Sequence, residues 1–231
     1  MLARILRKAV PRESVRHDLR QVRASVSRLL RGVGAEMFAR ARVPRSNAGE
    51  VKLNIGCGDR IAAGWINIDR QGRAGSCYAN VLNGLAFADA TVTRIHCEHF
   101  LEHLEFDHAR RFLAECLRVL LPGGDLRLVV PDAGRYCEAY AAHDAQFFAR
   151  LDHLGGAVEA LRTPMQVINQ MFRMGGEHRF AWDYETLRDV LLAAGFARVA
   201  RSHGGDASAG PVLDGDEWWR ELESLYVEAR K

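Results

Sequence analysis

Residues 51–69, VKLNIGCGDRIAAGWINID, constrain this chain more than any other stretch. Val51, Leu53 and Ile55 alternate as a buried strand, which breaks at Gly56-Cys57-Gly58. A second strand, Trp65-Ile66-Asn67-Ile68, then ends on Asp69. A strand, a glycine turn and an acid at the tip of the next strand is how a doubly wound α/β sheet builds a nucleoside site. Glycines 56 and 58 let the backbone turn sharply and approach a ligand, and Asp69 can accept hydrogen bonds from both ribose hydroxyls. The dinucleotide fingerprint needs a third glycine at position 61, which is Ile61, so that reading fails.

Downstream the chain alternates strand and helix. Strands are expected near Ser76–Val81, over Thr91–Cys97 and over Asp125–Val130, with a helix over Asp107–Leu120 stopped by Leu121-Pro122-Gly123-Gly124. This is the βαβ pattern of a parallel sheet. Between Asp132 and Asp183 lie some fifty residues the simple fold does not need, read as two helices, 133–150 and 164–174. Asp183 caps a helix over Tyr184–Ala194 that Gly195 ends. Strand six follows over Ala197–Ser202, then a loop over Gly204–Gly215. Leu225, Val227 and Ala229 alternate as an antiparallel strand seven. Trp218 and Trp219 read as a binding patch or the edge of a core.

Charge divides the chain. Residues 1–45 hold twelve Arg or Lys against three acids, so with a net charge of +3 overall the remainder carries about −6. A nucleic-acid partner is therefore not expected for the body. Val15, Leu19, Val22, Val26, Leu29 and Val33 form one helical face, with arginines on the others. This basic extension is expected to dock on the domain, on another subunit, or on an anionic membrane surface. Arg4, Arg7 and Lys8 interrupt the only early apolar run, so no secretory signal is expected. Five scattered cysteines point to reduced thiols and a cytoplasmic setting, with a peripheral place at the inner membrane as the alternative.

The motifs LNIGCG, GWINID, EHFLEHL, LRVLLPGGDLRLVVPD, GEHRFAWDYETLRDVLLAAGF and ESLYVEARK occur in one order over residues 50–231. Together they resemble the class I S-adenosylmethionine-dependent methyltransferases, of the bacterial methyltransferase domain 11 type. The resemblance implies a Rossmann-like seven-stranded sheet with a helical lid over 133–182, and S-adenosylmethionine as cofactor. It implies that Gly56, Cys57 and Gly58 meet the methionine part, Asp69 the ribose, and Asn80, Val81 and Leu82 the adenine. Asn54 and Glu98 are counted among the cofactor-binding residues. Asn80 stands where such enzymes commonly have an acid, and Ala86 where they have a proline.

The resemblance also implies an acceptor of small-molecule or glycan kind, a sugar hydroxyl in surface-polysaccharide biosynthesis being the first candidate. A small metabolite is the alternative, as is a non-catalytic nucleoside-binding module. His178, set behind Gly175-Gly176 and beside Glu177, is the expected general base, because imidazole titrates near neutrality. His99 and Asp132 come next. His99 to His103 also spells H-x-x-E-H, which on a helix would hold zinc. The pattern is short and falls where the family has its strand-four motif, so His103 reads as a packed helix histidine and no metal ligand is expected.

Overall fold

The apolar alternation closes into strands that run where it places them. The computed structural model describes residues 50–72, 74–151, 161–204 and 218–231. The strands are β1 (Lys52–Ile55), β2 (Ile66–Asp69), β3 (Cys77–Tyr78), β4 (Val92–Glu98), β5 (Leu120–Pro131), β6 (Arg198–Ser202) and β7 (Ser224–Arg230). They form one sheet in the order β3-β2-β1-β4-β5-β7-β6. Neighbours from β3 to β5 pair in parallel, and β7 runs antiparallel between β5 and β6. This is the Rossmann-like seven-stranded fold that the sequence implies, with the antiparallel strand where it was expected.

Among the described residues six α-helices accompany the sheet: α1 (Phe106–Val119), α2 (Ala133–Ala141), α3 (Ala145–Arg150), α4 (Pro164–Arg173), α5 (Tyr184–Ala194) and α6 (Trp218–Glu223). None of the described helices is long and apolar enough to cross a membrane. Leu53, Ile55, Ile95, Leu126 and Leu128 are fully buried against Phe112, Leu113, Leu187 and Leu191 of α1 and α5. Each such side chain contributes about 1.5–3 kcal/mol relative to exposure. A second apolar cluster joins α2, α3 and α4 through Tyr136, Phe147, Phe148, Val167, Ile168 and Met171.

Several boundaries differ from the sequence expectation. β3 is only two residues long, because Asn80 turns the chain and caps a short 3-10 turn over Val81–Asn83. β5 starts at Leu120, straight from α1, so Pro122-Gly123-Gly124 lies inside the strand instead of before it. Its register with β4 jumps from Val92↔Leu120 to Arg94↔Asp125, leaving the glycines outside the regular pairing. Lys231 holds that excursion: its Nζ donates to Leu117 O and Leu120 O at 2.7 and 2.8 Å, satisfying carbonyls at the end of α1. The expected helix over 133–150 is two helices, split where His143 takes φ 54° and Asp144 starts α3 by accepting from Phe147 N. The 1–45 helix, most of the 204–215 loop and the side chains of Trp218 and Trp219 lie outside the described residues.

Candidate active site

Parallel neighbours such as β1 and β2 are normally joined by a crossover helix. Here residues 56–65 make the crossing with turns alone. Two buried asparagines, facing each other in the β1–β2 register, replace the missing helix. Asn54 Nδ2 donates to Asn67 Oδ1 and to Arg60 O, both at 2.9 Å. Asn67 Oδ1 also accepts from Ala62 N at 2.8 Å, and its amide donates to Ala62 O at 3.0 Å and Trp65 O at 3.2 Å. Gly56 N and Cys57 N both donate to Ile68 O, at 2.9 and 3.2 Å. The turn is thereby fixed from below by groups that are all satisfied.

The two glycines do different work. Gly56 has φ +70°, and a Cβ there would lie 2.7 Å from Phe100 Cβ, so it admits the β4 tip rather than a ligand. Gly58 has φ +51° and nothing within 4 Å of a would-be Cβ, leaving an open approach to the backbone. Gly58 N donates to Asp69 Oδ2 at 3.1 Å, and Gln71 N to Asp69 Oδ1 at 2.6 Å. Each carboxylate oxygen keeps a second lone-pair direction for a ribose hydroxyl. Burial, then the Asp69 charge, pushes the Cys57 thiol up to about 11, so this residue contributes backbone and not thiolate. Asn80 Oδ1 accepts from Leu82 N at 3.2 Å; Val81 is buried and Leu82 exposed beside the β2–β3 edge. The residue set therefore fits S-adenosylmethionine: an open glycine backbone, a strand-tip carboxylate, and an apolar ledge one strand further out.

A cleft of about 300 Å³ opens above β1 and β4, lined by Asn54, Gly56, Cys57, Gly58, Asp59, Arg60, Glu98, His99 and Arg220. Asp69, Asn80, Val81 and Leu82 lie outside its lining. Glu98 gathers two cations, Arg60 at 2.8 Å and the guanidinium of Arg220, and also stands 3.3 Å from His96 Nε2. His96 is buried, and burial, reinforced by Arg127, Arg60 and Arg220, lowers its pKa to about 3. It is neutral, and its contact with Glu98 is a hydrogen bond rather than an ion pair. Arg60 follows the glycine turn directly in CGDR, a position that could have marked it in sequence; Arg220 carries no such signal, being brought in from α6.

His99 follows β4 with a left-handed backbone, φ 46°. That conformation costs a non-glycine residue about 1–3 kcal/mol, so the surroundings hold it there. Its Nε2 is 3.1 Å from Ser224 Oγ, and its Nδ1 is 3.3 Å from Glu102 Oε1. Glu223 Oε1 stands 4.0 Å from Nε2, while Tyr136 Oη donates to Glu223 Oε2 at 3.2 Å. Burial pulls the imidazole pKa down, but Glu102 and Glu223 outweigh it and the net shift is upward. Burial raises the Glu223 pKa and that of Tyr136. Glu102, Glu223, Ser224 and Tyr136 were not singled out from sequence; no local pattern joins residues this far apart in the chain.

His178 and Asp132 are placed elsewhere. His178 does not line the cleft; it lies behind His99, with its ring edge-on to His103 at 4.9 Å between centroids. The glycine turn before it is real, with Gly175 and Gly176 at φ +64° and +94°. The ring is oriented by Met171 O, to which Nδ1 donates, and not by Glu177, whose carbonyl instead accepts from His103 Nδ1 at 3.2 Å. Burial lowers the His178 pKa. Asp132 caps α2 by accepting from Arg135 N at 3.3 Å, and its Oδ2 is 3.9 Å from Arg201. Burial raises its pKa. The H-x-x-E-H run is not helical: Leu101–His103 is a single 3-10 turn and His99 precedes it.

Residues 61–128 match the family model Methyltransf_11, described as a methyltransferase domain. No curated protein matches the chain in sequence. Similar solved structures include an S-adenosylmethionine-dependent methyltransferase from Archaeoglobus fulgidus, 14% identical, covering 88% of this chain and 94% of its own, TM-score 0.46. Another, from Mesorhizobium loti, is 17% identical over 85% of this chain and 98% of its own, TM-score 0.45. A phosphoethanolamine N-methyltransferase from Haemonchus contortus, with S-adenosylhomocysteine bound, is 10% identical over 81% and 50%, TM-score 0.44. The match over residues 61–128, the order of the seven strands and the open glycine turn beside Asp69 together support a class I S-adenosylmethionine-dependent methyltransferase fold, with S-adenosylmethionine as the cofactor this arrangement suits.

Proposed function

We propose that the chain methylates a hydroxyl of a polar acceptor, with His99 taking the proton, and that a sugar hydroxyl in glycan biosynthesis is the first acceptor to test. When bound, the cofactor supplies a methyl group already activated on a sulfonium, so the protein has to align a nucleophile and remove its proton. The carrying observation is the placement of His99, the one imidazole on the described lining of the cleft. Its ring is held between Ser224 and Glu102, with Glu223 behind, on a backbone conformation that side chains rarely adopt. The charged rim of Asp59, Arg60, Glu98 and Arg220 suits a polar acceptor more than an apolar one. The sugar itself is favoured by the family resemblance. Under this reading the helices α2, α3 and α4 between Asp132 and Asp183 cover the acceptor, and His178 supports the site from behind instead of acting as its base.

The test uses His99→Asn, because asparagine tolerates the left-handed region and preserves the backbone. Calorimetry should show S-adenosylhomocysteine bound by the variant within about 3-fold of wild type. Turnover on a panel of sugar nucleotides and free sugars should fall about 10²–10⁴-fold, the usual contribution of a general base. Normal turnover by His99→Asn would remove this residue from the chemistry. Failure of the whole sugar panel, with activity on small phenols or amines, would replace the acceptor.

A further inference from the structure

Beside the cleft lies a second cluster, which shares Glu102 with the His99 site but takes no direct part in the proton transfer assigned to His99. Glu102 and His103 come from the 3-10 turn after β4, and His178 from the turn after α4. One ligand-capable atom from each lies within 4.8 Å of the other two. The three are held by backbone: Arg179 N and Phe180 N both donate to Glu102 O, at 2.8 and 3.2 Å, and His178 N donates to Arg173 O at 3.3 Å.

The chemistry of the three is specific. A carbonyl oxygen can only accept, so the contacts of His178 Nδ1 with Met171 O and His103 Nδ1 with Glu177 O fix both rings as Nδ1–H tautomers. Each ring is left with an Nε2 lone pair. A backbone carbonyl on the other ring nitrogen is also the usual arrangement behind a metal-bound histidine. Glu102 is 2% exposed, and neither carboxylate oxygen has a hydrogen-bond partner. A buried carboxylate in that condition is costly unless a cation meets it. His99 at 3.3 Å meets one oxygen at most.

The geometry points to a divalent transition-metal site, Zn²⁺ by preference, ligated by Glu102, His103 and His178. Two neutral imidazoles and one carboxylate are a known three-ligand set for zinc, with a further position open to water. In tetrahedral coordination with bonds of about 2.0–2.1 Å, ligand atoms stand roughly 3.3 Å apart, so the cluster has to contract by about 1–1.5 Å on binding. The ion ties the turn after α4 to the tip of β4, with Glu102 three positions after His99 on the wall of the cleft. The site uses no residue assigned to proton transfer and does not depend on the acceptor.

The full chain, stripped with a chelator and dialysed, is titrated with Zn²⁺ by calorimetry and with Co²⁺ by visible absorption. The expected result is one Zn²⁺ per chain with Kd below about 1 μM, intense Co²⁺ d–d bands of low-coordinate geometry, and their loss on adding Zn²⁺. His103→Gln and His178→Gln should each weaken binding more than about 100-fold, beyond the roughly 10–100-fold typical of outer partners. His103 is only half-buried, so His103→Gln keeps the test decisive should His178→Gln fail to fold. No stoichiometric binding by wild type, or undiminished binding by His103→Gln, overturns the site.

Discussion

Two groups of buried polar side chains flank the cleft, and they are built on opposite principles. Under the glycine turn, Asn54 and Asn67 spend their hydrogen bonds on each other and on the backbone of residues 60–65, all within 13 positions of sequence. At the tip of β4, His99, Glu102, Glu223 and His178 come from three distant segments, and Glu102 has no hydrogen bond at either oxygen. The first group is satisfied and neutral and acts as scaffold. The second is charged, incompletely paired and carried on a strained backbone, as expected where structure has been given up for chemistry.

The contrast breaks or holds first at Asn67. Asn67→Ala removes four hydrogen bonds and leaves Ala62 N and one of the two Asn54 amide hydrogens without their acceptor in a site that is almost fully buried. The expected loss is about 2–4 kcal/mol of unfolding free energy, read by urea denaturation, together with weaker S-adenosylhomocysteine binding as the turn loses its support. A loss under about 1 kcal/mol would mean that the turn holds itself and the asparagines are not its scaffold.

His96 gives the scaffold side a pH signature. Its pKa is about 3 folded against an ordinary 6.5, so between those values the unfolded chain binds the extra proton. Stability from this residue is whole above pH 6.5 and is lost as pH falls, by about 1.4 kcal/mol per unit. His96→Asn should flatten the difference between pH 7 and pH 5 by about 2 kcal/mol. Equal pH slopes in wild type and variant would show that His96 is charged in the folded protein, with Glu98 as its counter-ion.

How far the sequence led follows the same division. The alternating strands such as β7, the Asp183 cap and the Gly195 stop were legible because each is written in local spacing: period-two apolar residues, a capping side chain, a positive-φ glycine. The glycine turn and Asp69 were legible for that reason too. Pro122-Gly123-Gly124 misled, because Lys231 and the β4 register carry the strand through a signal that ordinarily stops one. The cluster around His99 was largely illegible. His99 itself stood at a strand tip, but Glu223, Tyr136 and Arg220 reach it only through tertiary folding, and His178 was placed by Met171 O instead of by its neighbour Glu177.

The glycines sharpen the comparison at a single loop. Gly56→Ala meets Phe100 at 2.7 Å and a φ of +70°, so it should cost about 2–3 kcal/mol in stability. Gly58→Ala meets nothing and should cost only about 1 kcal/mol for its backbone. In affinity the order should reverse in specificity: Gly58→Ala puts a methyl where the ligand approaches and should weaken S-adenosylhomocysteine binding at least about 10-fold with the fold intact. Equal stability losses for the two variants would show that Phe100 yields.

The smallest expected change is the most telling. Removing one partner of a buried pair ordinarily costs about 3–5 kcal/mol, because a charge is left stranded. Glu102→Gln should escape that cost. The charge left behind would be on His99, where burial pulls the imidazole toward its neutral form and, with Glu102 gone, only the more distant Glu223 opposes it, as a counter-ion should the charge persist. An amide at position 102 also brings donors toward the lone pairs of His103 and His178, which the carboxylate does not offer. In chelator-treated protein at pH 7.5 the unfolding free energy of Glu102→Gln should therefore stay within about 1 kcal/mol of wild type. A loss as large as that of Asn67→Ala would place Glu102 with the scaffold, and the distinction between a satisfied framework and an unsatisfied working cluster would fail at its centre.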